Sequence, residues 1–279
     1  MKINLAKSSG FCFGVKRAIE IALETAGLDE KVYMLGDIVH NEEVVKKIED
    51  VGIKKIKKLK DGRNKVLLIR AHGASKRIFR KAKQLGYKII DATCPMVKEI
   101  HKIAQNMEKK GAQIIVVGDK KHDEVLGIVG QLKNRAIVID GTQNMPLAII
   151  KKLKKACVVV QSTQNLGKVL RIVKTLRRYI RQLEFHNTIC RPTRAKQEEI
   201  KIMPKENDVM IIIGSKSSAN TKRLYEISKA INKNTYWISS KKEIKSAWFK
   251  NIKNVGITAG ASTPDETTHS IINYIKKIQ

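Results

Sequence analysis

Short apolar runs alternate along the chain with longer segments in which apolar residues recur at helical spacing. Alternating strands and helices are typical of α/β proteins with parallel sheets, and short runs buried on both faces suit their strands. One helix is predicted to follow Gly14 and to end at Gly27, and others to end at Gly86 and Gly111. Three more are predicted over residues 166–180, 221–231 and 265–278. The predicted strands are residues 2–6, 32–35, 66–69, 88–90, 114–117, 136–139, 157–160, 210–213, 235–238 and 255–257.

The size and composition of the chain fit an ordinary globular protein. It has 279 residues, of which 42% are hydrophobic, so a sizeable core is available. Its apolar runs are too short to span a membrane, and no membrane partner is expected. The first residues lack the apolar stretch of a secretory signal, which favours a cytoplasmic location.

The charge of the chain is strongly positive. It carries 56 basic and 26 acidic residues, for a formal net charge of +30, which by itself would suggest a protein that binds nucleic acid. Most of the basic residues are scattered lysines, whereas base recognition and stacking favour arginine and interleaved aromatic residues. Nucleic-acid binding is therefore kept only as an unfavoured alternative, and no nucleic-acid partner is expected.

Polar turns follow six of the predicted strands, at residues 70–73, 91–95, 118–124, 161–164, 214–220 and 258–264. In parallel sheets, ligands bind beyond the carboxyl ends of the strands, where backbone N–H groups at helix starts favour anions. None of the turns has the sequence of a nucleoside-triphosphate or dinucleotide loop. Their side chains instead offer hydrogen-bond donors suited to phosphate oxygens, although a structural role is the alternative for any single histidine. The candidate donors in these turns are His72, His122, Ser218, Asn220 and Ser262. His40 and Asn41, which lie outside the six turns, are added to this set.

Three of the four cysteines lie in turns, at intervals comparable with the length of a small α/β unit. They are Cys12, Cys94 and Cys190, whereas Cys157 lies inside an apolar run and is predicted to be structural. Three thiolates, one from each unit, could hold an iron–sulfur cluster and leave one iron without a protein ligand. Free buried thiols are the alternative, and spacing alone leaves both readings open.

Six motifs in this chain resemble those of the 4-hydroxy-3-methylbut-2-enyl diphosphate reductases, also called the LytB or IspH family. They occur in the family's order over the full length, at residues 10–18, 39–41, 71–73, 91–95, 187–190 and 258–264. The resemblance implies an α/β fold of three small parallel-sheet units arranged as a trefoil around a central cavity for an iron–sulfur cluster. It places these units at residues 13–94, at residues 95–188, and at residues 1–12 together with 189–279.

The resemblance also implies a function. The family reductively dehydroxylates 4-hydroxy-3-methylbut-2-enyl diphosphate to isopentenyl and dimethylallyl diphosphate, the last step of the methylerythritol phosphate route to isoprenoids. It implies one 4Fe-4S cluster on Cys12, Cys94 and Cys190 with one open iron, an electron donor such as ferredoxin or flavodoxin, and Glu124 as the catalytic acid. The implied substrate contacts are His40, His72, His122, Ser162, Ser218, Ala219, Asn220 and Ser262.

The chain departs from the family pattern beside the implied acid. Asp123 replaces the usual proline, and its like charge is expected to raise the pKa of Glu124 if the side chain points inward. Ser162 replaces a threonine but keeps the hydroxyl, and Lys196 replaces an arginine but loses the bidentate fork.

A second group of departures lies in the 214–220 turn. Ser217 stands for an asparagine and Ala219 for a serine, so one side-chain donor to the substrate is lost. The loss of one neutral hydrogen bond, about 0.5–1.5 kcal/mol, should leave activity intact. A member of the family that holds a cluster without turnover is kept as the alternative; Ala219 is its only real support, and the retained cysteines, Glu124 and histidines argue against it.

Overall fold

Twelve strands, ten α-helices and two short 3₁₀ turns follow one another in the computed structural model, which describes residues 1–278. The strands are β1 (Lys2–Leu5), β2 (Lys31–Leu35), β3 (Lys54–Ile56), β4 (Lys65–Ile69), β5 (Lys88–Asp91), β6 (Gln113–Val117), β7 (Ile137–Ile139), β8 (Lys155–Val160), β9 (Gln182–Phe185), β10 (Val209–Ile213), β11 (Thr235–Ile238) and β12 (Asn254–Ala259). The helices are α1 (Phe13–Ala26), α2 (Glu42–Asp50), α3 (Lys76–Gln84), α4 (Pro95–Lys109), α5 (Asp123–Val129), α6 (Leu147–Ile150), α7 (Leu166–Leu176), α8 (Arg191–Glu206), α9 (Ala219–Ile231) and α10 (Asp265–Lys277).

The strands form three four-stranded sheets, with the orders β1-β12-β10-β11, β3-β2-β4-β5 and β7-β6-β8-β9. Every strand pairing is parallel. The predicted α/β class with parallel sheets is therefore confirmed. Each sheet draws its strands from one of the three chain segments predicted as units, and the exact division into those units stays a prediction.

The chain divides into two compact units that alternate along the sequence. The first unit comprises Met1–Lys16, Val39–Lys46 and Arg191–Gln279, and it contains the sheet β1-β12-β10-β11. The second comprises Arg17–Ile38 and Lys47–Cys190 and contains the other two sheets.

All ten predicted strands are present, but β3 and β9 are not foreseen by the hydrophobic pattern. Both are edge strands that pair with one neighbouring strand. Two residues of each strand are exposed, so neither contains an apolar run. The central strands behave in the opposite way. Every residue of β10 is buried, and each fully buried aliphatic side chain contributes roughly 1.5–3 kcal/mol, which gives the turns beyond the strands a rigid base.

One predicted helix needs correction, and four helices, α2, α5, α6 and α8, are not predicted. The helix predicted over residues 166–180 ends at Leu176, because the next residues form a tight turn that returns Ile180 to the core. Helix α8 is not predicted at all, because its buried face carries polar side chains, including Thr193, Lys196 and Gln197. Among residues 1–278, no helix is both long and apolar enough to cross a membrane.

Candidate active site

Glu124 lies at the start of α5, in the second unit, and its side chain is only 2% exposed. The backbone N–H of Ser162, in the turn after β8, donates to Oε1 of Glu124 at 2.6 Å. The hydroxyl of Ser162 donates to Oε2 at 2.8 Å. The structure therefore brings these two predicted site residues together, and the serine hydroxyl makes the contact that supports the carboxyl.

Burial raises the pKa of Glu124 above its ordinary value of 4.5, and the charge of Asp119 raises it further, although the hydrogen bonds from Ser162 oppose the shift. The structure corrects the expectation for Asp123. Its carboxylate pairs with the guanidinium of Arg70, Nη1 to Oδ2, at 2.6 Å, so the like charge felt by Glu124 comes from Asp119 instead. The protonated carboxyl of Glu124 is favoured, as a general acid requires.

His122 caps the start of α5 with its ring. Its Nδ1 accepts a hydrogen bond of 3.2 Å from the backbone N–H of Glu124. In the neutral imidazole this leaves the proton on Nε2, where it can be donated to a ligand. The ring of His72 meets that of His122 edge to face, with 5.5 Å between the centroids. Two of the predicted phosphate donors therefore lie side by side, and His122 is two residues from Glu124 in the chain.

Each of the three turn cysteines directly precedes a helix. Cys12 precedes α1, Cys94 caps α4 and Cys190 precedes α8; all three are partly exposed. The carbonyl of Cys12 accepts from Lys16, that of Cys94 accepts from Lys98, and the N–H of Cys190 donates to Ser162 at 3.1 Å.

These three thiols suit an iron–sulfur cluster, whose ligands are thiolates. Their partial exposure leaves the sulfur atoms accessible to iron. Cys157 does not suit this role, because it is fully buried in β8 and burial raises its pKa to about 12. Cys12 belongs to the first unit, and Cys94 and Cys190 belong to the second.

The first unit presents hydrogen-bond donors at the start of α9. Ser218 caps this helix and accepts from the backbone N–H of Thr221 at 3.3 Å, and Ala219 is the first helical residue. Asn220 is 4% exposed, and neither its amide nitrogen nor its amide oxygen has a hydrogen-bond partner within residues 1–278. A buried polar group without a partner costs roughly 1–3 kcal/mol. Asn220 therefore indicates that a polar ligand completes this site.

Three further hydrogen bonds within the first unit hold the turns that carry predicted site residues. The hydroxyl of Ser262 donates to the backbone carbonyl of His40 at 3.0 Å. The hydroxyls of Ser215 and Ser217 both donate to Oε1 of Glu42, at 2.8 and 3.3 Å. Ser217, which replaces the family's asparagine, therefore fastens the 214–220 turn to the start of α2, close in sequence to His40. Sequence reasoning did not find Glu42, because its partners lie about 170 residues away.

Lys196 of α8 anchors the loop that leads to Cys12. Its buried ammonium donates to the backbone carbonyls of Ser8, Gly10 and Ala259, with distances of 3.0 and 3.1 Å to the last two. Burial lowers the pKa of Lys196 to about 8. One turn further along α8, the carboxylate of Glu199 accepts from the Ser8 hydroxyl and from the backbone N–H groups of residues 7 and 8. The resemblance to the family singled out residue 196, where lysine replaces an arginine, but implied no role for it.

We expect Lys196→Met to lower the free energy of unfolding by about 3 kcal/mol, because three buried carbonyls lose their donor. Lys196→Arg should recover most of that loss, since a guanidinium also supplies several N–H donors. Urea unfolding monitored by circular dichroism measures both changes. Lys201→Met removes an exposed lysine from the same helix and is the matched control. Equal stability of the two methionine variants would contradict the anchoring role.

A buried acid with a raised pKa, set beside imidazole donors at the carboxyl ends of parallel strands, defines an α/β enzyme that acts on an anionic ligand. Residues 3–276 match the family described as LytB protein. The chain therefore belongs to the LytB family, and the resemblance stated from its motifs is confirmed.

The similar proteins are named as reductases of a hydroxylated methylbutenyl diphosphate. The 4-hydroxy-3-methylbut-2-enyl diphosphate reductase of Caldanaerobacter subterraneus subsp. tengcongensis is 40% identical over 290 residues, covering 100% of this chain and 98% of the relative. A solved structure of (E)-4-hydroxy-3-methyl-but-2-enyl diphosphate reductase, described as the terminal enzyme of the non-mevalonate pathway, has a TM-score of 0.73 at 37% identity. It covers 99% of this chain and is itself covered in full. The structure of the E-1-hydroxy-2-methyl-but-2-enyl-4-diphosphate reductase from Plasmodium falciparum has a TM-score of 0.90 at 30% identity, covering 98% and 87% of the two chains.

Proposed function

We propose that this chain reductively dehydroxylates 4-hydroxy-3-methylbut-2-enyl diphosphate to isopentenyl and dimethylallyl diphosphate, the last step of the methylerythritol phosphate route. The reaction consumes two electrons and two protons and releases the hydroxyl group as water. The observation that carries the proposal is the buried carboxyl of Glu124: burial raises its pKa, as a proton donor requires, and two hydrogen bonds from Ser162 hold its orientation. Membership of a family whose relatives carry this enzyme name supports it.

The substrate's diphosphate would be bound by neutral hydrogen-bond donors. His122 offers its Nε2 proton, because its Nδ1 is engaged by the backbone of Glu124. Asn220 offers a buried amide that has no other partner. Ala219 has no side-chain donor and can contribute only its backbone N–H. This is the position at which the chain lacks one side-chain donor to the substrate. The full set that we assign to the substrate is His40, His72, His122, Ser162, Ser218, Ala219, Asn220 and Ser262.

We assign a 4Fe-4S cluster to Cys12, Cys94 and Cys190, with one iron left open. When bound, the cluster supplies electrons and a Lewis-acidic iron for the substrate's hydroxyl group. The family implies an electron donor such as a ferredoxin or flavodoxin, and the net charge of +30 would suit an acidic partner. We place the reaction in the cytoplasm, where thiolate ligands stay reduced.

Glu124 would hold a proton on its carboxyl and donate it to the departing hydroxyl group, which leaves as water. Ser162 fixes the plane of the carboxyl through both of its oxygens, so that the proton is presented in one direction. A second proton reaches one of the two ends of the allylic system, and the end that is protonated determines which product forms.

The test is an anaerobic assay of the reconstituted protein with a chemical reductant and 4-hydroxy-3-methylbut-2-enyl diphosphate. We expect both five-carbon diphosphates in the mass spectrum. An intact cluster that binds substrate without turnover would instead support the decayed member of the family, which the loss of a donor at Ala219 favours. Failure to form any cluster would overturn the assignment of the three cysteines.

A further inference from the structure

An ion pair joins two of the turns that carry site residues in the second unit. Arg70 follows β4 and lies two residues before His72, and Asp123 is the first residue of α5, between His122 and Glu124. Nη1 of Arg70 lies 2.6 Å from Oδ2 of Asp123, and the two side chains are 19% and 26% exposed. A half-buried pair this short is held in one geometry far better than an exposed pair.

The guanidinium group of Arg70 packs against a glycine, where a larger residue would collide with it. Gly36 has a positive φ of 79°, and a Cβ at this position would lie 2.6 Å from Nη1 of Arg70. The pair lines one wall of a cleft of about 410 Å³, which Lys55 and Asp37 also line. Those two residues pair with each other at 2.9 Å, so Asp37 is engaged by its own cation.

Helix α5 is attached by both ends to the segment around His72. Near its carboxyl end, the side-chain amide of Gln131 donates to the carbonyl of Ala74 at 2.7 Å, and the carbonyl of Gly130 accepts from Lys76 at 3.0 Å. At its amino end, the attachment is the contact of Asp123 with Arg70. With only seven residues, α5 is too short to hold its start by helical hydrogen bonds alone.

We propose that Arg70 and Asp123 are positioning residues, whose ion pair fixes the start of α5 and thereby sets Nε2 of His122 and the carboxyl of Glu124 relative to His72. The kinetic part of this proposal rests on the proposed function. The structural part, that the pair orders the start of α5, stands independently of turnover.

Proline provides a direct test, because Asp123 occupies the first helical position. A proline there fixes φ at a helical value without any partner and displaces no helical hydrogen bond. In Asp123→Pro, the start of α5 should therefore hold its geometry without Arg70. Arg70 then faces the cleft and can be hydrated there.

The experiment is a double-mutant cycle of Arg70→Met and Asp123→Pro in the reconstituted protein. We expect Arg70→Met alone to lower kcat/KM about tenfold, with iron content unchanged, because the histidine and the acid lose their relative placement. In the Asp123→Pro background, the same change should alter kcat/KM less than about twofold. Arg70→Lys should restore part of the loss, and Arg77→Met, at an exposed arginine of α3, should change nothing.

Hydrogen exchange followed by mass spectrometry gives a second readout that does not depend on turnover. Peptides covering residues 119–126 should exchange faster in Arg70→Met and return to the wild-type rate when Asp123→Pro is added. Equal effects of Arg70→Met in the two backgrounds, or no effect in either, would overturn the proposal. If the wild-type protein has no activity, the proposed function fails, and the exchange data alone decide whether the pair positions α5.

Discussion

Glu124→Gln should lower kcat by about 10²–10⁴-fold and leave iron content and substrate affinity close to those of the wild type. Glutamine has nearly the same shape as glutamate, and its Oε1 can accept from the backbone N–H of Ser162 while its Nε2 donates to the serine hydroxyl. The hydrogen-bond geometry around the side chain is therefore kept. The proton that Glu124 would deliver to the departing hydroxyl group is absent.

Anaerobic steady-state kinetics, together with iron analysis and a binding titration with substrate, separate these effects. Glu99→Gln makes the same chemical change at an exposed position of α4 and serves as the control. If Glu124→Gln lost affinity and kept kcat, Glu124 would be a binding residue and the assignment as acid would be wrong.

The same variant should show a pH-dependent gain in stability. Because burial raises the pKa of Glu124, the folded protein keeps a proton that the unfolded chain releases above its ordinary pKa of 4.5. The contribution of Glu124 to the free energy of unfolding therefore falls as pH rises from 4.5 through the raised pKa. Glutamine does not titrate, so the advantage of the variant in thermal unfolding should grow as pH rises above 4.5 through the raised pKa of Glu124. An advantage independent of pH would contradict the raised pKa.

Removal of any one turn cysteine should abolish turnover and leave the protein with little iron. We expect this of Cys12→Ala, Cys94→Ala and Cys190→Ala, because three thiolates are the smallest set that holds the cluster with one open iron. Cys157→Ala makes the same change inside β8, where the buried thiol packs among aliphatic side chains. That variant should keep its iron and lose only a little stability.

Iron and acid-labile sulfide per chain, with the absorbance near 400 nm after anaerobic reconstitution, measure the outcome. Circular dichroism checks that each variant is folded. Full iron content in one of the three turn variants, or loss of iron in Cys157→Ala, would show that the ligand set has been assigned wrongly.

The hydrophobic pattern was enough to predict ten of the twelve strands, because continuous apolar runs such as those of β8 and β10 indicate buried strands. It failed where burial and polarity do not coincide. Helix α8 buries Lys196 behind a polar sequence, and β3 and β9 have too few buried residues to stand out. The turn after β6, with His122 and Glu124, could be located from sequence because such turns follow strands directly.

The supporting contacts of the site could not be predicted in the same way. Arg70 and Asp123 are 53 residues apart, and Glu199 and Lys7 are 192 apart. The sequence around each of these residues does not indicate its partner, because a charged residue in the same local sequence could equally be exposed to solvent. The condition on which Asp123 would raise the pKa of Glu124, an inward-pointing side chain, is not met because Asp123 pairs with Arg70, and the nearby sequence gives no sign of Arg70.

The alternation of the two units along the chain has a consequence for synthesis. Strand β1 pairs only with β12 within its sheet, so its residues wait until residue 257 has been made before they gain a strand partner. Residues 47–190 of the second unit emerge well before that point and can fold while translation continues. The step that closes the sheet of the first unit joins segments about 250 residues apart, and such distant pairings are slow. Nascent chains stalled before β12 should therefore resist a protease over residues 47–190 while β1 is still cleaved.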